Sequence, residues 1–403
     1  MQRLFLTFVA LVLGLVGVLA TPGSALAAPL PAAYSGAAGG DVLAFDLDVV
    51  GGVELADARL LVSQSDVDST ADPEVTATAG NLAAEVAGLG LTVQSTTQTA
   101  PPNNDAPETD TIAAATVPGL LSLGVVNTRA EAHYTTDQAC VPGGLLADSL
   151  VESDGSSLAP AGLGTIVETG DASTRGVVDL VPSPADDPLN RAVRSVATGT
   201  LSETSFLDGA VLVAIDGESS LTAIATGEPG GASVRYVPGT VTVTVGDRTE
   251  TVPLGESETF TVPGGEVVIT VNEPTVTQSA DGQTATGEVA VVTAEVRVGP
   301  EALPLATATV DLLPLRATAV APEGGIDCPP PAPVLIDPAD GLETTDTTPT
   351  FTGTAVAGAE VEIFVDGTSL GTTIAEEDGT FSFTPDTPLQ VGSYTATATQ
   401  TTV

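Results

Sequence analysis

Hydrophobic and polar residues alternate along most of this chain with a period of two. Leu43, Phe45 and Leu47, for example, alternate with Asp46 and Asp48. Further alternating runs lie at residues 125–135, 209–216, 233–237, 240–245, 266–271 and 284–298. This period is typical of half-buried β-strands, and Gly, Pro and Asp separate the runs as they do in turns. The pattern predicts an all-β protein whose main body is a large β-sandwich-type domain or several stacked sheets.

Two stretches of the main body depart from the alternation. Residues 81–91 resemble a short helix, but Gly88 and Gly90 disfavour it. Residues 100–110 are rich in Pro, Asn and Asp, which predicts a long exposed loop or a disordered insert.

Residues 334–403 predict a second, smaller β-sandwich. Val361, Ile363 and Val365 share one face of a strand, and the dipeptides 366–367 and 378–379 are both Asp-Gly. Asp-Gly supplies the positive φ angles that tight hairpins need. Five of the thirteen aromatic residues of the chain lie in this segment, enough to form a small core. The segment is therefore predicted to be Ig-like.

The amino-acid sequence of this segment closely resembles the bacterial Ig-like repeats of large surface proteins. The matching stretches are PVLIDPADG at 333–341, TTPTFTGTA at 347–355, VDGT at 365–368 and DGTFSFTP at 378–385. The resemblance implies a spacer or adhesive module on a bacterial surface and no catalytic residues. The family pattern continues beyond residues 394–399 into a turn and one more strand, so the last strand is expected to be missing at Val403.

The N-terminal residues 1–27 have the three parts of a secretory signal peptide. Arg3 is followed by the apolar segment 4–20, and Ala25-Leu26-Ala27 forms a small-x-small cleavage site. The alternative is an uncleaved anchor, but the apolar segment is shorter than the roughly 20 residues that span a bilayer. The mature chain is expected to begin near Ala28, to have no transmembrane span and to be extracellular or at the cell surface.

The composition narrows the possible partners. The chain has 52 acidic and 10 basic residues, a formal net charge of −42 and no lysine. Such a charge repels nucleic acid, which is excluded as a partner. The acidic, lysine-free composition indicates a salty or alkaline habitat, although GC-rich codon usage also removes lysine.

The chain has two cysteines, Cys140 and Cys328. Because an exported protein meets an oxidising environment, a disulfide between them is expected, with two free buried thiols as the alternative. In the chain-entropy model, a bridge across so long a loop contributes about 5 kcal/mol. Residues 329–333 are Pro-rich and predict an extended linker between the two domains.

The main body, residues 28–328, also resembles a known group. The stretches YSG at 34–36, ATGEPGGA at 225–232, SADGQTA at 279–285 and GGIDC at 324–328 look like the actinobacterial choice-of-anchor family (type P). That resemblance implies export and surface attachment, without an activity.

The residue types argue against an enzyme. His133 is the only histidine, and no Gly-x-Ser-x-Gly elbow, His-Glu-x-x-His motif or P-loop occurs. Carboxylate pairs lie at 46/48, 66/68, 186/187 and 376–378, but the chain has no Trp to support a sugar-cleaving cleft. No catalytic residue, cofactor or specific metal site is therefore predicted.

Calcium is the one metal weighed against that prediction. The acids at 66, 68 and 72, or those at 337, 340 and 346, have the hard oxygen donors that calcium prefers. The alternative is that these acids form a solvated face.

The sequence thus predicts a non-catalytic, secreted or cell-surface protein with a structural or adhesive role, which presents an Ig-like module. Its cell-wall or other extracellular partner is unknown. The alternative is an extracellular binding module for a polymer or protein partner, either with or without a stabilising calcium ion.

Overall fold

The regular elements of this protein are β-strands. The computed structural model describes residues 33–49, 53–82, 94–102, 106–134, 144–183, 190–302, 304–327, 332–339, 342 and 344–401. Within these residues there is no helix, and the strands form several sheets. The predicted all-β class is confirmed.

The first 23 strands build the main body. They are β1 (Ser35–Val49), β2 (Val53–Asp68), β3 (Val75–Leu82), β4 (Ser95–Ala100), β5 (Glu108–Ile112), β6 (Ala115–Val117), β7 (Leu121–Leu123), β8 (Val126–Ala132), β9 (Leu145–Ser153), β10 (Ser156–Leu158), β11 (Val167–Thr169), β12 (Ala172–Pro182), β13 (Asn190–Phe206), β14 (Val211–Ala225), β15 (Ser233–Val237), β16 (Thr240–Val245), β17 (Arg248–Thr251), β18 (Ser257–Val262), β19 (Gly265–Val271), β20 (Thr275–Gln278), β21 (Thr284–Val298), β22 (Ala306–Val320) and β23 (Ile326–Asp327).

These strands form two antiparallel sheets that face each other. The first sheet has the order β18-β19-β21-β22-β1-β2-β3-β4, with β20 on β21. The second has the order β5-β8-β9-β12-β13-β11-β10-β7-β6; β14 also pairs with β13 and leads to β15, β16 and β17. Strand β1 packs against β12 and β13, and β2 packs against β9 and β12. One hydrophobic core fills the space between the sheets, as the alternation requires.

The structure corrects one expectation about the main body. The predicted exposed loop at residues 100–110 ends early, because β5 already begins at Glu108 and pairs with β8. Most of β5 is exposed, and Ile112 is its one buried residue. An edge strand anchored by a single apolar side chain carries too little alternation to be recognised from sequence. Of the segment 81–91, in which a helix is disfavoured, residues 81 and 82 belong to β3 and the others lie outside the described residues.

The two sheets approach closely through small residues. The hydroxyl of Ser65 in β2 donates to the carbonyl oxygen of Gly176 in β12 at 2.8 Å and lies 3.0 Å from the hydroxyl of Ser149 in β9. Ser195 of β13 donates to the carbonyl of Thr318 in β22 at 2.6 Å. These bonds cross from one sheet to the other and satisfy polar groups that are buried.

A row of irregular positions crosses four neighbouring strands of the first sheet. The ladder is interrupted at Val42 opposite Leu61 in β1 and β2, and at Val291 opposite Leu313 in β21 and β22, while the register on either side is unchanged. All four side chains are fully buried. At each of these positions two consecutive residues of the strand are buried, so the inward and outward faces of the strand exchange although the register is kept. The inward face therefore changes phase along all four strands at the same level.

The C-terminal segment forms the predicted small sandwich. Its strands are β24 (Val334–Asp337), β25 (Phe351–Thr354), β26 (Glu360–Val365), β27 (Thr368–Ile374), β28 (Thr380–Phe383) and β29 (Ala396–Thr401). The sheets β24-β25-β28 and β27-β26-β29 enclose a core that includes Phe351, Val361, Ile363 and Phe381. Asp366 and Gly367 both have positive φ in the β26–β27 hairpin. The missing last strand stays a prediction, since no described residue tests it.

Two tyrosines of the main body have buried hydroxyl groups that are expected to destabilise the folded chain. The hydroxyl groups of Tyr34 and Tyr236 are buried without a hydrogen-bond partner in the described part of the chain. Burial, followed by the nearby Tyr134 and Glu74, raises the pKa of Tyr34 above its usual value. Burial raises the pKa of Tyr236 to about 12. In the unfolded chain both groups have a pKa near the ordinary tyrosine value of 10.0.

We expect the double variant Tyr34→Phe/Tyr236→Phe to unfold at a higher urea concentration at pH 7, because removing an unpaired buried hydroxyl gains about 1 kcal/mol. Both pKa values are raised by folding, so their contribution to stability is complete below pH 10 and is lost as the pH rises through 12. Urea unfolding at pH 9 and pH 11.5 should show a smaller loss for the variant than for the wild type. Equal losses would contradict this assignment.

Candidate functional site

A row of polar side chains crosses the outer face of the second sheet. Thr111 in β5, Asn127 in β8, Glu152 in β9, Ser173 in β12 and Thr200 in β13 are successive partners in the strand register. Four of them are exposed and Ser173 is half-buried. Residues at matched positions on adjacent strands point to the same face, so the antiparallel register places five residues from distant parts of the chain side by side.

This row lies in two open cavities of about 490 Å³ and about 600 Å³. Both cavities are lined by Asn127 and Glu152, so together they form one continuous depression. The first also contains Arg129 and Leu150, and the second contains Ser173. We call this depression the polar trough.

The edge of the trough rests on a buried ion cluster. Asp148 in β9 is 1% exposed. It accepts two hydrogen bonds from Arg175 in β12, both at 2.8 Å, and one from Arg129 in β8 at 2.6 Å. Arg129 also pairs with Glu131. These contacts, with the bond to Asp148 first, raise the pKa of Arg175. Arg129 and Arg175 are the strand partners of Leu150 on its two sides. Their guanidinium groups are held in place by the hydrogen bonds to Asp148.

A second cluster of the same kind lies on the first sheet. Asp41 in β1 is fully buried and is held by Arg59 of β2 through two bonds at 2.8 and 2.9 Å and by Arg316 of β22 at 3.2 Å. In each cluster a central strand supplies the aspartate and both neighbouring strands supply an arginine. Buried charges require such pairing, because an unpaired carboxylate is costly to desolvate. We call these the aspartate clamps.

The sequence reasoning did not identify the clamps. Asp41 and Asp148 appear there only as two of 52 acidic residues. The arginines could have indicated the clamps, because the chain has very few cations and four of them lie inside β-strands. These are Arg59, Arg129, Arg175 and Arg316. A strand arginine in such a chain is expected to serve a specific carboxylate.

The one histidine occupies a structural position. His133 follows β8, and its Nε2 atom lies 2.9 Å from Oε1 of Glu131. Its backbone N–H donates to the carbonyl of Leu146 and extends the pairing of β8 with β9. His133 therefore serves strand pairing and an ion pair with Glu131.

The acidic positions weighed for calcium take part in local turns. Asp68 accepts two hydrogen bonds from Thr70 at 2.9 and 2.6 Å, and Asp346 accepts from the backbone of Thr348 at 2.9 Å. Burial raises the pKa of Asp66, and its hydrogen bond with Gln64 opposes that shift. Among the described residues, no group of three or more His, Cys, Asp or Glu side chains is arranged to hold a metal ion.

Other predicted positions are exposed or fall outside the description. Asp378 is exposed and accepts from the backbone and hydroxyl of Thr380, which lowers its pKa. Asp186, Asp187 and Asp340, with the predicted disulfide partners Cys140 and Cys328, lie outside the described residues.

Comparison with known families adds one result to this geometry. Residues 337–403 match a family described as bacterial Ig-like domain. This agrees with the six-stranded sandwich and with the sequence prediction for that segment. Such domains are typical structural modules of bacterial surface proteins.

The family match does not extend to the main body. A search of curated proteins found no match to the chain. The resemblance of residues 28–328 to the choice-of-anchor family has no support among these findings and stays a prediction. Within the residues that the structure describes, none of the elements is a helix suited to crossing a bilayer.

Proposed function

We propose that this protein is a non-catalytic structural and adhesive protein that is exported and displayed at the bacterial cell surface. The carrying observation is the Ig-like domain at residues 337–403, which has both the family match and the two-sheet fold. The predicted signal peptide at 1–27 supplies the export route. The Pro-rich linker at 329–333 supplies a spacer between the main body and the Ig-like module.

The geometry of the main body supports a structural role. Its strands are long, and β1, β2, β13, β14, β21 and β22 each have at least 15 residues. Extended sheets with a continuous core resist local opening, because most of their backbone hydrogen bonds are inside the ladder. The aspartate clamps and the hydroxyl bonds between sheets link strands that are far apart in sequence. Such a body holds its outer faces in fixed shape.

The ion pairs of the main body also support a non-catalytic role. His133 is paired with Glu131, and Asp41 and Asp148 are each held by two arginines. A general base or nucleophile needs an accessible group near a reacting atom. In the described part of the chain, these groups face each other rather than a reaction centre.

Cell fractionation with intact-mass measurement tests the proposal. The protein should be found in the surface fraction or the medium, and protease added to intact cells should degrade it while a cytoplasmic marker survives. The mass should correspond to a chain that begins near Ala28 and has lost two hydrogens through the disulfide between Cys140 and Cys328. A protein confined to the cytoplasm with Met1 intact would refute export and display.

A further inference from the structure

We propose that one end of the main body carries a latch, which keeps the chain docked there when the segment beyond Asp327 is pulled away. The latch is formed by three loops, residues 225–232, 279–285 and 321–325, together with the side chain of Asn190. We call it the exit latch. It rests on the proposed surface role only for the source of the load, since a displayed module transmits tension to the body that carries it.

The strand register shows where the chain leaves the main body. Val320 at the end of β22 pairs with Ser35 at the start of β1, and Asp327 pairs with Asn190 at the start of β13. The Ig-like segment follows Asp327 in the sequence. Strand β23 is two residues long and, among the described strands, pairs with β13 alone. So short a ladder holds little by itself, and a pull that detaches it acts next on residues 321–325.

Backbone hydrogen bonds tie the three loops to one another. In each bond an N–H group of one loop donates to a carbonyl oxygen of another. With the donor named first, the bonds are Gly324 to Gly227 and Ala321 to Gln283, both at 2.9 Å, Thr226 and Gly227 to Gly282 at 3.1 and 2.9 Å, and Gly230 to Ala280 at 3.0 Å. Each loop is therefore bound to both of the others, so a loop that moves away breaks bonds to two partners at once.

The side chain of Asn190 adds a bond from the second sheet. Its Nδ2 atom donates to the carbonyl oxygen of Gly324 at 2.5 Å, and the residue is 5% exposed. Its Oδ1 atom is buried without a hydrogen-bond partner among the described residues, which costs free energy. The contribution of this side chain to the latch is therefore its donor, which fixes the segment just before β23.

The loops touch through backbone atoms, without side chains between them. A Cβ atom added at Gly227 would lie 1.8 Å from the carbonyl oxygen of Pro322, and one at Gly282 would lie 1.7 Å from that of Glu228. Both glycines have positive φ angles, +74° and +79°, which other residues adopt only with strain. Because no rotatable side chain separates the loops, a displacement of one loop is transmitted directly to the others.

The direction of β23 decides how a load acts on the latch. Strand β13 runs from Asn190 into the body, and β23 is antiparallel to it, so β23 runs outward. An outward pull on the chain beyond Asp327 therefore acts along the strand. The bonds of Asn190, of Gly324 and of the β13–β23 pair are then loaded together, whereas a pull across the strands would break them one after another. Shared loading delays the first rupture, because several bonds must fail in the same event.

Magnetic tweezers on the full chain test this proposal. One tether is attached at Ala161, in the exposed turn before β11, which pairs with the opposite end of β13. The other is attached to a C-terminal tag, and a reducing buffer ensures that no disulfide shares the load. Unfolding of the Ig-like domain identifies a single tethered molecule. The measured quantity is the lifetime at one fixed force before the main body first extends.

We expect Asn190→Ala to shorten this lifetime about tenfold, the change in rate expected when one hydrogen bond is lost and its acceptor is left unpaired. The matched control is Asn272→Ala. It also removes an asparagine bond to a backbone carbonyl, that of Ala290 at 2.9 Å, but outside the latch. The lifetime of this control should stay close to that of the wild type.

Hydrogen exchange without load separates the latch from overall stability. The amides of residues 321–325 should exchange slowly in the wild type, and Asn190→Ala should speed their exchange about tenfold. Its urea midpoint should fall no further than that of Asn272→Ala. The proposal is wrong if the wild type and Asn190→Ala have equal lifetimes, or if the two asparagine variants shorten the lifetime alike. It is also wrong if residues 321–325 of the wild type exchange as fast as exposed loops. None of these results bears on export, which the fractionation tests separately.

Discussion

Replacing Gly176 with alanine is expected to cost more than about 3 kcal/mol of unfolding free energy, the upper part of the range for overpacked interiors. Gly176 lies in β12, where the two sheets of the main body meet. A Cβ atom there would overlap the carbonyl oxygen of Ala38 and lie 3.0 Å from the Cα atom of Gly39. Both are backbone atoms of β1, so no side-chain rotation relieves the overlap and the sheets must separate.

The effect of Gly176→Ala is measured by urea unfolding followed by circular dichroism. The matched control is Gly217→Ala, where an added Cβ meets no atom within 4 Å but the backbone has a φ of +92°. That control should cost only about 1–2 kcal/mol, the penalty for a left-handed conformation. Similar unfolding midpoints for the two variants would show that the sheets do not approach as closely as the structure describes. Failure of Gly176→Ala alone to fold would agree with the expectation.

Replacing Arg59 with methionine is expected to cost about 3 kcal/mol, the lower end of the range for breaking a buried ion pair. Asp41 is fully buried, while Arg59 is 39% exposed. Most of the cost therefore comes from the carboxylate that is left behind. Arg316 remains 3.2 Å away and limits the loss. Methionine keeps the apolar stem of the arginine, so packing changes little.

A double-mutant cycle isolates this interaction. Adding Asp41→Asn to Arg59→Met should recover part of the lost stability, because the amide carries no charge that needs a partner. The control Arg248→Met breaks a pair with Glu250 in which the arginine is 80% exposed, and it should change stability by less than about 0.5 kcal/mol. Equal losses for Arg59→Met and Arg248→Met would mean that the clamp contributes no more than a surface pair.

Much of the fold was predictable because strand formation is local. The predicted runs at 233–237, 240–245 and 284–298 coincide with β15, β16 and β21. Turn chemistry was equally local: the Asp-Gly at 366–367 forms the predicted hairpin. In the Ig-like segment, alternation also identified the core, since Val361, Ile363 and Val365 are all buried. The alternation of Tyr394, Ala396 and Ala398 predicts a strand that includes Tyr394, but β29 begins at Ala396 and Tyr394 is exposed.

The row of irregular positions through Val42, Leu61, Val291 and Leu313 shows where local reasoning ends. Each strand by itself shows only a short apolar run, such as Leu60-Leu61-Val62 in β2, and such a run does not reveal where the two faces of the strand exchange. The positions line up because the pairing of four neighbouring strands is interrupted at the same level, and that alignment exists only in the assembled sheet.

By itself, the sequence determined the all-β class, the Ig-like C-terminal segment and the strongly acidic surface. All three follow from composition and from patterns that span a few residues. The tertiary structure alone decided which carboxylates are buried with arginines and which five residues form the polar row. Asp41 and Arg316 are 275 positions apart in the sequence. Thr111 and Thr200 stand at the two ends of the polar row, with three strands between them. Strand order and register bring such residues together, and neither is encoded in the spacing along the chain.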